Sequence, residues 1–188
     1  QVAGLLGAAM GLLDAKAFDH LAGRVAFIAV PADEYGDVAW RVAQRNEGKL
    51  EFLGGKPEML RLGHLDDVDM AMMIHATPRT EEGKLAVPIS NNGCTVKTVR
   101  YIGKAAHAGG MPHRGINALY AANIALSAIN AIRETFRDED TIRVHPIITR
   151  GGSQVNVIPA DVRLEMYVRG KSIQAIADAD RKVDRALR

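Results

Sequence analysis

TIRVHPIITRGGSQVNVIPADVRLEMYVRG, residues 141–170, is the stretch on which the fold turns. Its two ends, TIRVHPIIT (141–149) and VRLEMYVRG (162–170), alternate apolar and polar residues as half-exposed strands do. Between them GGSQVNVIPAD carries turn residues. Working outward, CTVKTVRYIG (94–103) alternates in the same way. Ile116–Phe136 places Leu119, Ala122, Ile124, Leu126, Ile129 and Ile132 at helical spacing. Ser172 stands where an N-cap would open a last helix over 173–188. The order β-α-β-β-α is that of an α+β two-layer sandwich short of its last strand.

The earlier part of the chain has another rhythm. Residues 1–18 carry Val2, Leu5, Leu6, Ala9, Leu12 and Leu13 at helical spacing, with glycines and alanines that would let a neighbour approach closely. RVAFIAV (24–30) and Val68–Ile74 are short apolar runs, expected as buried parallel strands, and Val38–Arg45 is expected as a helix between them. That is an α/β layer, with chemistry expected beyond the carboxyl ends of its strands. Pro78, Gly83, Pro88, Asn91, Asn92 and Gly93 cluster between the two patterns. We therefore expect two domains, 1–88 and 89–188.

Composition narrows the function classes. Of 188 residues, 47% are hydrophobic and 24% charged, a soluble globular balance. A formal net charge of +2 with scattered basic residues argues against a nucleic-acid surface. Cys94 is the sole cysteine, which excludes a disulfide framework and a cysteine metal cluster and favours a reducing, cytoplasmic compartment. No apolar run reaches the roughly 18 residues of a membrane span. The opening QVAGLLGAAMGLLDA lacks both a methionine start and a basic signal-peptide region, so a piece of a longer chain is expected.

Four places could carry chemistry. Asp33 and Glu34 follow the run at 24–30. Adjacent carboxylates there can divide metal binding from proton transfer, although spacing alone favours an ordinary acidic helix N-terminus. His75 ends the run MAMMI, where an imidazole serves equally as a zinc ligand or a hydrogen-bonded core residue. In GKAAHAGGMPHRGINAL (103–119), His107 precedes Gly109 and Gly110, which permit backbone conformations barred to other residues. His113 and Arg114 of the same string could meet an anion near a helix start, a solvated loop being the simpler account. Asn156 lies in the turn between two strands and Arg169 ends the second. An arginine can grip a carboxylate through two hydrogen bonds, but turn chemistry and a surface charge explain the two residues taken singly.

In combination the strings are more specific. PADE (31–34), IHATP (74–78), GKAAHAGGMPHRGINAL (103–119) and GGSQVNVIPA (151–160) followed by an arginine make the chain resemble one family over essentially its whole length. That family is the metal-dependent amidohydrolases of the aminoacylase, carboxypeptidase and aminoacyl-glutamate hydrolase type. The branch it most resembles acts on N-acyl amino acids and includes aminobenzoyl-glutamate hydrolase. The resemblance implies a catalytic α/β domain with two divalent metal ions, zinc or manganese, interrupted by a smaller lid domain that also mediates homodimerisation. It implies Glu34 and His75 as metal ligands and Asp33 as the general base, one methylene shorter than the family's usual glutamate. His107 corresponds to the lid histidine that reaches the active site of the partner chain and steadies the tetrahedral intermediate. Asn156 and Arg169 correspond to groups that hold the substrate, the arginine meeting a free carboxylate. The family's upstream ligand motif and its last ligand histidine are not in this sequence, so only part of the metal site is expected here. The implied reaction is metal-assisted amide hydrolysis; the alternative is a non-catalytic relative serving binding or dimerisation.

Overall fold

The computed structural model describes all residues except 1, 32–33, 78–80, 82 and 88–89. Two compact units form, Gln1–Leu85 and Ala86–Arg188.

In the first unit α1 (Val2–Asp14) is followed by a 3-10 turn, then α2 (Val38–Asn46) and α3 (Gly55–Arg61). Asp37 caps α2 by accepting the Trp40 N–H at 3.1 Å. The buried Arg41 of α2 donates to the Leu53 carbonyl at 2.6 Å. Glu58 of α3 pairs with Arg61 and accepts the Phe52 N–H at 2.9 Å. The Arg61 hydrogen bond, then that of Phe52, holds the Glu58 carboxyl at about 2. Of the small residues in α1, Gly4 does receive a neighbour: a methyl there would lie 3.4 Å from Ile74, whereas Gly7 and Gly11 face open space.

Residues 24–30 and 68–74 do not form the buried strands expected of them. Val25 and Phe27 are 41% and 42% exposed, and Met72 is wholly exposed. The reason is cooperative. An apolar run becomes an interior strand when strands on both sides take up its N–H and C=O groups. No strand is present among the described residues of this unit to do so.

The second unit is built as its periodicity predicts. β1 (Gly93–Ile102), β2 (Arg143–Arg150) and β3 (Asp161–Gly170) form an antiparallel sheet in the order β1-β3-β2. α4 (Ala118–Ala131) and α5 (Ile173–Ala186) pack on one face. Alternate residues of the central strand, Val162, Leu164, Met166 and Val168, are buried beneath them. Alanines carry part of the helix side of this core, Ala118 and Ala122 from α4 and Ala179 from α5, and their small size lets the helices lie close to the sheet. Ile129 and Val183 fill the space that remains. Ser172 caps α5 as expected, accepting the Ala175 N–H at 3.2 Å. Lys97, on the helix-facing side of β1, meets Asp180 and Asp184 of α5 at 2.8 Å each. Burial alone would lower its pKa, but the hydrogen bonds it donates to the two carboxylates outweigh this and raise it.

On the open face of the sheet Asp161 accepts from Arg100 at 2.8 Å and from Arg163 at 3.2 Å. These hydrogen bonds, Arg100 first, hold its carboxyl at about 2 against an ordinary 3.8. A carboxyl depressed in the folded state stabilises it fully above its unfolded pKa and loses that effect as pH falls through the folded one. The Tm difference between wild type and Asp161→Asn should therefore hold steady above about pH 4 and vanish toward about pH 2. A difference that persists undiminished at the acid end would show that the ionised carboxylate is not its source.

Candidate functional site

Beyond Ile102 the chain continues the line of β1 as a narrow crossing of three segments. Gly103 N–H donates to the Ala160 carbonyl at 2.8 Å, Ile158 N–H to Ala106 at 3.0 Å, and Ala108 N–H to Asn156 at 2.9 Å. Lys104 and Ile116 exchange two backbone hydrogen bonds of 2.9 Å, and Ala118 N–H reaches the Pro159 carbonyl at 2.9 Å. Two glycines allow this stacking. A methyl on Gly103 would lie 2.1 Å from the Ile116 carbonyl oxygen, and one on Gly115 would lie 2.7 Å from Ile158. Asn117 then opens α4, its side chain accepting from the N–H groups of Leu119 at 2.9 Å and Tyr120 at 3.2 Å.

His107 sits at this crossing, bridged to Val157. Its ring Nδ1 accepts the Gly110 N–H at 2.9 Å and the Gly109 N–H at 3.2 Å. A nitrogen that accepts two amide protons carries none itself, so the neutral ring is held as the Nε2–H tautomer. The exposed imidazole is thereby a fixed donor, the form needed to meet a developing oxyanion. Gly109 and Gly110 act through their amides, and neither adopts the left-handed conformation open to glycine. Lys104, Met111 and Arg114 line a shallow hollow with His107, adding two cations. His113 and Arg114 lie in an exposed 3-10 turn, Pro112–Arg114.

Asn156 is exposed and adjoins the His107–Val157 bridge, so these two sequence-predicted residues come together. Arg169 does not join them. It lies eight residues beyond Asp161 on an extended strand, roughly 27 Å away, and the His107–Asn156 crossing lies further still past Asp161. At its own end Arg169 stacks over the Tyr167 ring at 4.9 Å and stands opposite Arg143. Stacking engages the face of the guanidinium and leaves its in-plane donors for an anion. Sequence reasoning does not single out Arg143, because a cross-strand neighbour is a matter of register.

In the first unit Glu34 is exposed. His75 is exposed too, with Nδ1 donating to the Ala76 carbonyl at 2.6 Å, which leaves Nε2 free to act as a ligand. Asp33 falls outside the described residues. A carboxylate and an imidazole suit zinc or manganese chemically. Yet no group of three His, Cys, Asp or Glu able to hold a metal ion occurs among the described residues. Two donors do not make a closed site.

The antiparallel sheet, its two helices and the donor-bearing crossing define an α+β unit that presents side chains outward instead of enclosing a complete catalytic centre. Residues 90–188 match the family described as Peptidase dimerisation domain, and the chain belongs to that family. Its hydrolases are generally metal-dependent. Over 135 residues the chain is 33% identical to the Xaa-Arg dipeptidase of Mus musculus, covering 72% of this chain and 30% of that protein. Over 119 residues it is 34% identical to the indole-3-acetyl-aspartic acid hydrolase of Enterobacter agglomerans, covering 63% of this chain and 27% of that one. The crystal structure of the aminobenzoyl-glutamate utilization protein from Klebsiella pneumoniae matches with a TM-score of 0.53 and 28% identity, over 71% of this chain and 34% of that one. The chain thus spans about a third of the length of these relatives. Among the described residues no helix is long and apolar enough to cross a membrane.

Proposed function

We propose that the chain belongs to a cytoplasmic hydrolase that cleaves the amide bond of N-acyl amino acids or of aminoacyl- or aminobenzoyl-glutamate. Residues 1–88 are read as part of its catalytic domain and 89–188 as its lid and dimerisation domain. The observation that carries this reading is the fixed Nε2–H of His107 beside Asn156.

In this reading Asp33 takes a proton from water as the water oxygen attacks the amide carbonyl. The tetrahedral oxyanion receives the His107 Nε2–H while Asn156 holds the substrate. The C–N bond then breaks, and the proton passes from Asp33 to the leaving amine. Glu34 and His75 are read as two of the ligands of two divalent ions, zinc or manganese.

The length of β3 supports a homodimer. An N-acyl amino acid is far shorter than the distance from the crossing to Arg169. His107 and Asn156 of one chain therefore serve one active centre, and Arg169 serves another. The exposed Tyr120 and Ile124 on the outward face of α4, 68% and 69% accessible, offer apolar area for the second copy. A non-catalytic role in binding or dimerisation is the alternative. It would be favoured if the whole protein, folded and loaded with zinc or manganese, hydrolysed no N-acyl amino acid.

Arg169→Ala should raise KM about ten- to a hundredfold for substrates with a free carboxylate and leave ester-blocked analogues unaffected. Equal losses on both substrate types would remove Arg169 from carboxylate recognition.

A further inference from the structure

Across the open face of the sheet three arginines stand in one row. Arg100 of β1 lies opposite Arg163 of β3, and Arg163 lies opposite Arg150 of β2. Like charges directly opposite on neighbouring strands destabilise a sheet. A regular ladder would not produce this row. The β2 register passes from Ile148 opposite Leu164 to Arg150 opposite Arg163, so Thr149 is the extra residue of a bulge. Without the bulge Thr149 would face Arg163, and Arg150 would oppose the buried Val162 on the helix side. The Thr149 hydroxyl donates to the Arg163 carbonyl at 3.3 Å, tying the extra residue down. Bulges of this kind re-aim a side chain.

One carboxylate serves all three cations. Asp161 meets Arg100 Nε at 2.8 Å, Arg150 Nη1 at 3.0 Å and Arg163 Nη2 at 3.2 Å. Each guanidinium has five N–H donors, so most of the set is left over after one carboxylate is satisfied. The three side chains are 46–56% exposed, which turns those donors toward solvent. Glu165 follows Arg163 on the same face, opposite Thr98 and Ile147, and with Asp161 it leaves the row net positive.

We propose that this row is a binding site for a multivalent oxyanion, the shared chemistry of a phosphoryl group and a polycarboxylate. It is separate from the His107–Asn156 crossing. It is also distinct from Arg169, which is six residues and roughly 20 Å along β3 from Arg163. The forked donors grip two or more oxygens at once, and the bulge supplies the third fork.

The test is calorimetric titration of the protein with inorganic pyrophosphate and, separately, with citrate at fixed ionic strength. One saturable site is expected for at least one of them. Pyrophosphate binding alone identifies a phosphoryl ligand, and citrate binding alone a polycarboxylate. Arg163→Gln should weaken binding about tenfold. Arg150→Lys keeps the charge and the fold but loses the fork, and should weaken it as well. Arg137→Gln removes the same charge from an exposed residue at the other end of the sheet and should change nothing. The proposal is overturned if wild type binds neither anion, if Arg150→Lys binds as wild type does, or if Arg137→Gln loses as much as Arg163→Gln. Binding is read without turnover, so the result is independent of the proposed hydrolysis.

Discussion

Replacing Gly103 with alanine is expected to cost the second unit upward of about 3 kcal/mol. The added methyl would lie 2.1 Å from the Ile116 carbonyl oxygen and 3.1 Å from the Ala118 nitrogen, both backbone atoms. No rotamer change relieves such a contact. The segment carrying Ile116 is pinned by its paired 2.9 Å hydrogen bonds to Lys104, and Ala118 is held by Pro159. To make room the crossing must open, and with it the start of α4 shifts. For a unit of this size the loss corresponds to a fall in Tm of roughly 12 °C or more. Gly109→Ala is the control, since its methyl would meet the His107 ring at an ordinary 3.5 Å. Thermal unfolding of the two variants side by side decides the matter. Equal, small shifts would mean that the crossing relaxes freely and that Gly103 is not its hinge of packing.

His107→Ala should lower turnover by about 10²–10³ while moving KM little, the behaviour of a donor that acts on the transition state. The expectation rests on the tautomer. With Nδ1 committed to the amides of Gly109 and Gly110, Nε2–H points outward at no reorganisation cost. A loss confined to KM would make His107 a substrate-holding group. The strand geometry adds a sharper test. Mixing chains bearing His107→Ala with chains bearing Arg169→Ala, then allowing dimers to reassort, should restore roughly one quarter of wild-type activity when a free-carboxylate substrate is assayed well below the wild-type KM, where both parent variants are impaired. Half of the randomly formed dimers are mixed, and each mixed dimer has one intact centre. If one chain supplied both groups to a single centre, the mixture would stay as inactive as its components.

Much of the second unit is legible in the sequence because its elements are periodic. β1, β2 and β3 fall within a residue or two of the alternating runs, and α5 begins at the cap expected at Ser172. α4 ends at Ala131, where a 3-10 turn (Ile132–Thr135) takes over. The runs at 24–30 and 68–74 depart from expectation because an apolar run states hydrophobicity, not partners. Whether it pairs depends on strands elsewhere, which periodicity does not record.

For the site, residue identity is written in the strings at 103–119 and 151–160, which point to His107 and Asn156. Three things were decided by tertiary structure. The proton on His107 was placed by amides that the backbone brings to Nδ1. Arg169, only thirteen positions after Asn156, was carried to the far end of the sheet because nine of those residues, 161–169, run straight along one strand. Arg150 reached the arginine row through a bulge, where simple alternation would have turned it toward the helices. Composition and period belong to a single run of chain and can be read along it. Register, close approach and separation arise from hydrogen bonds between distant runs, and these exist once the chain has folded.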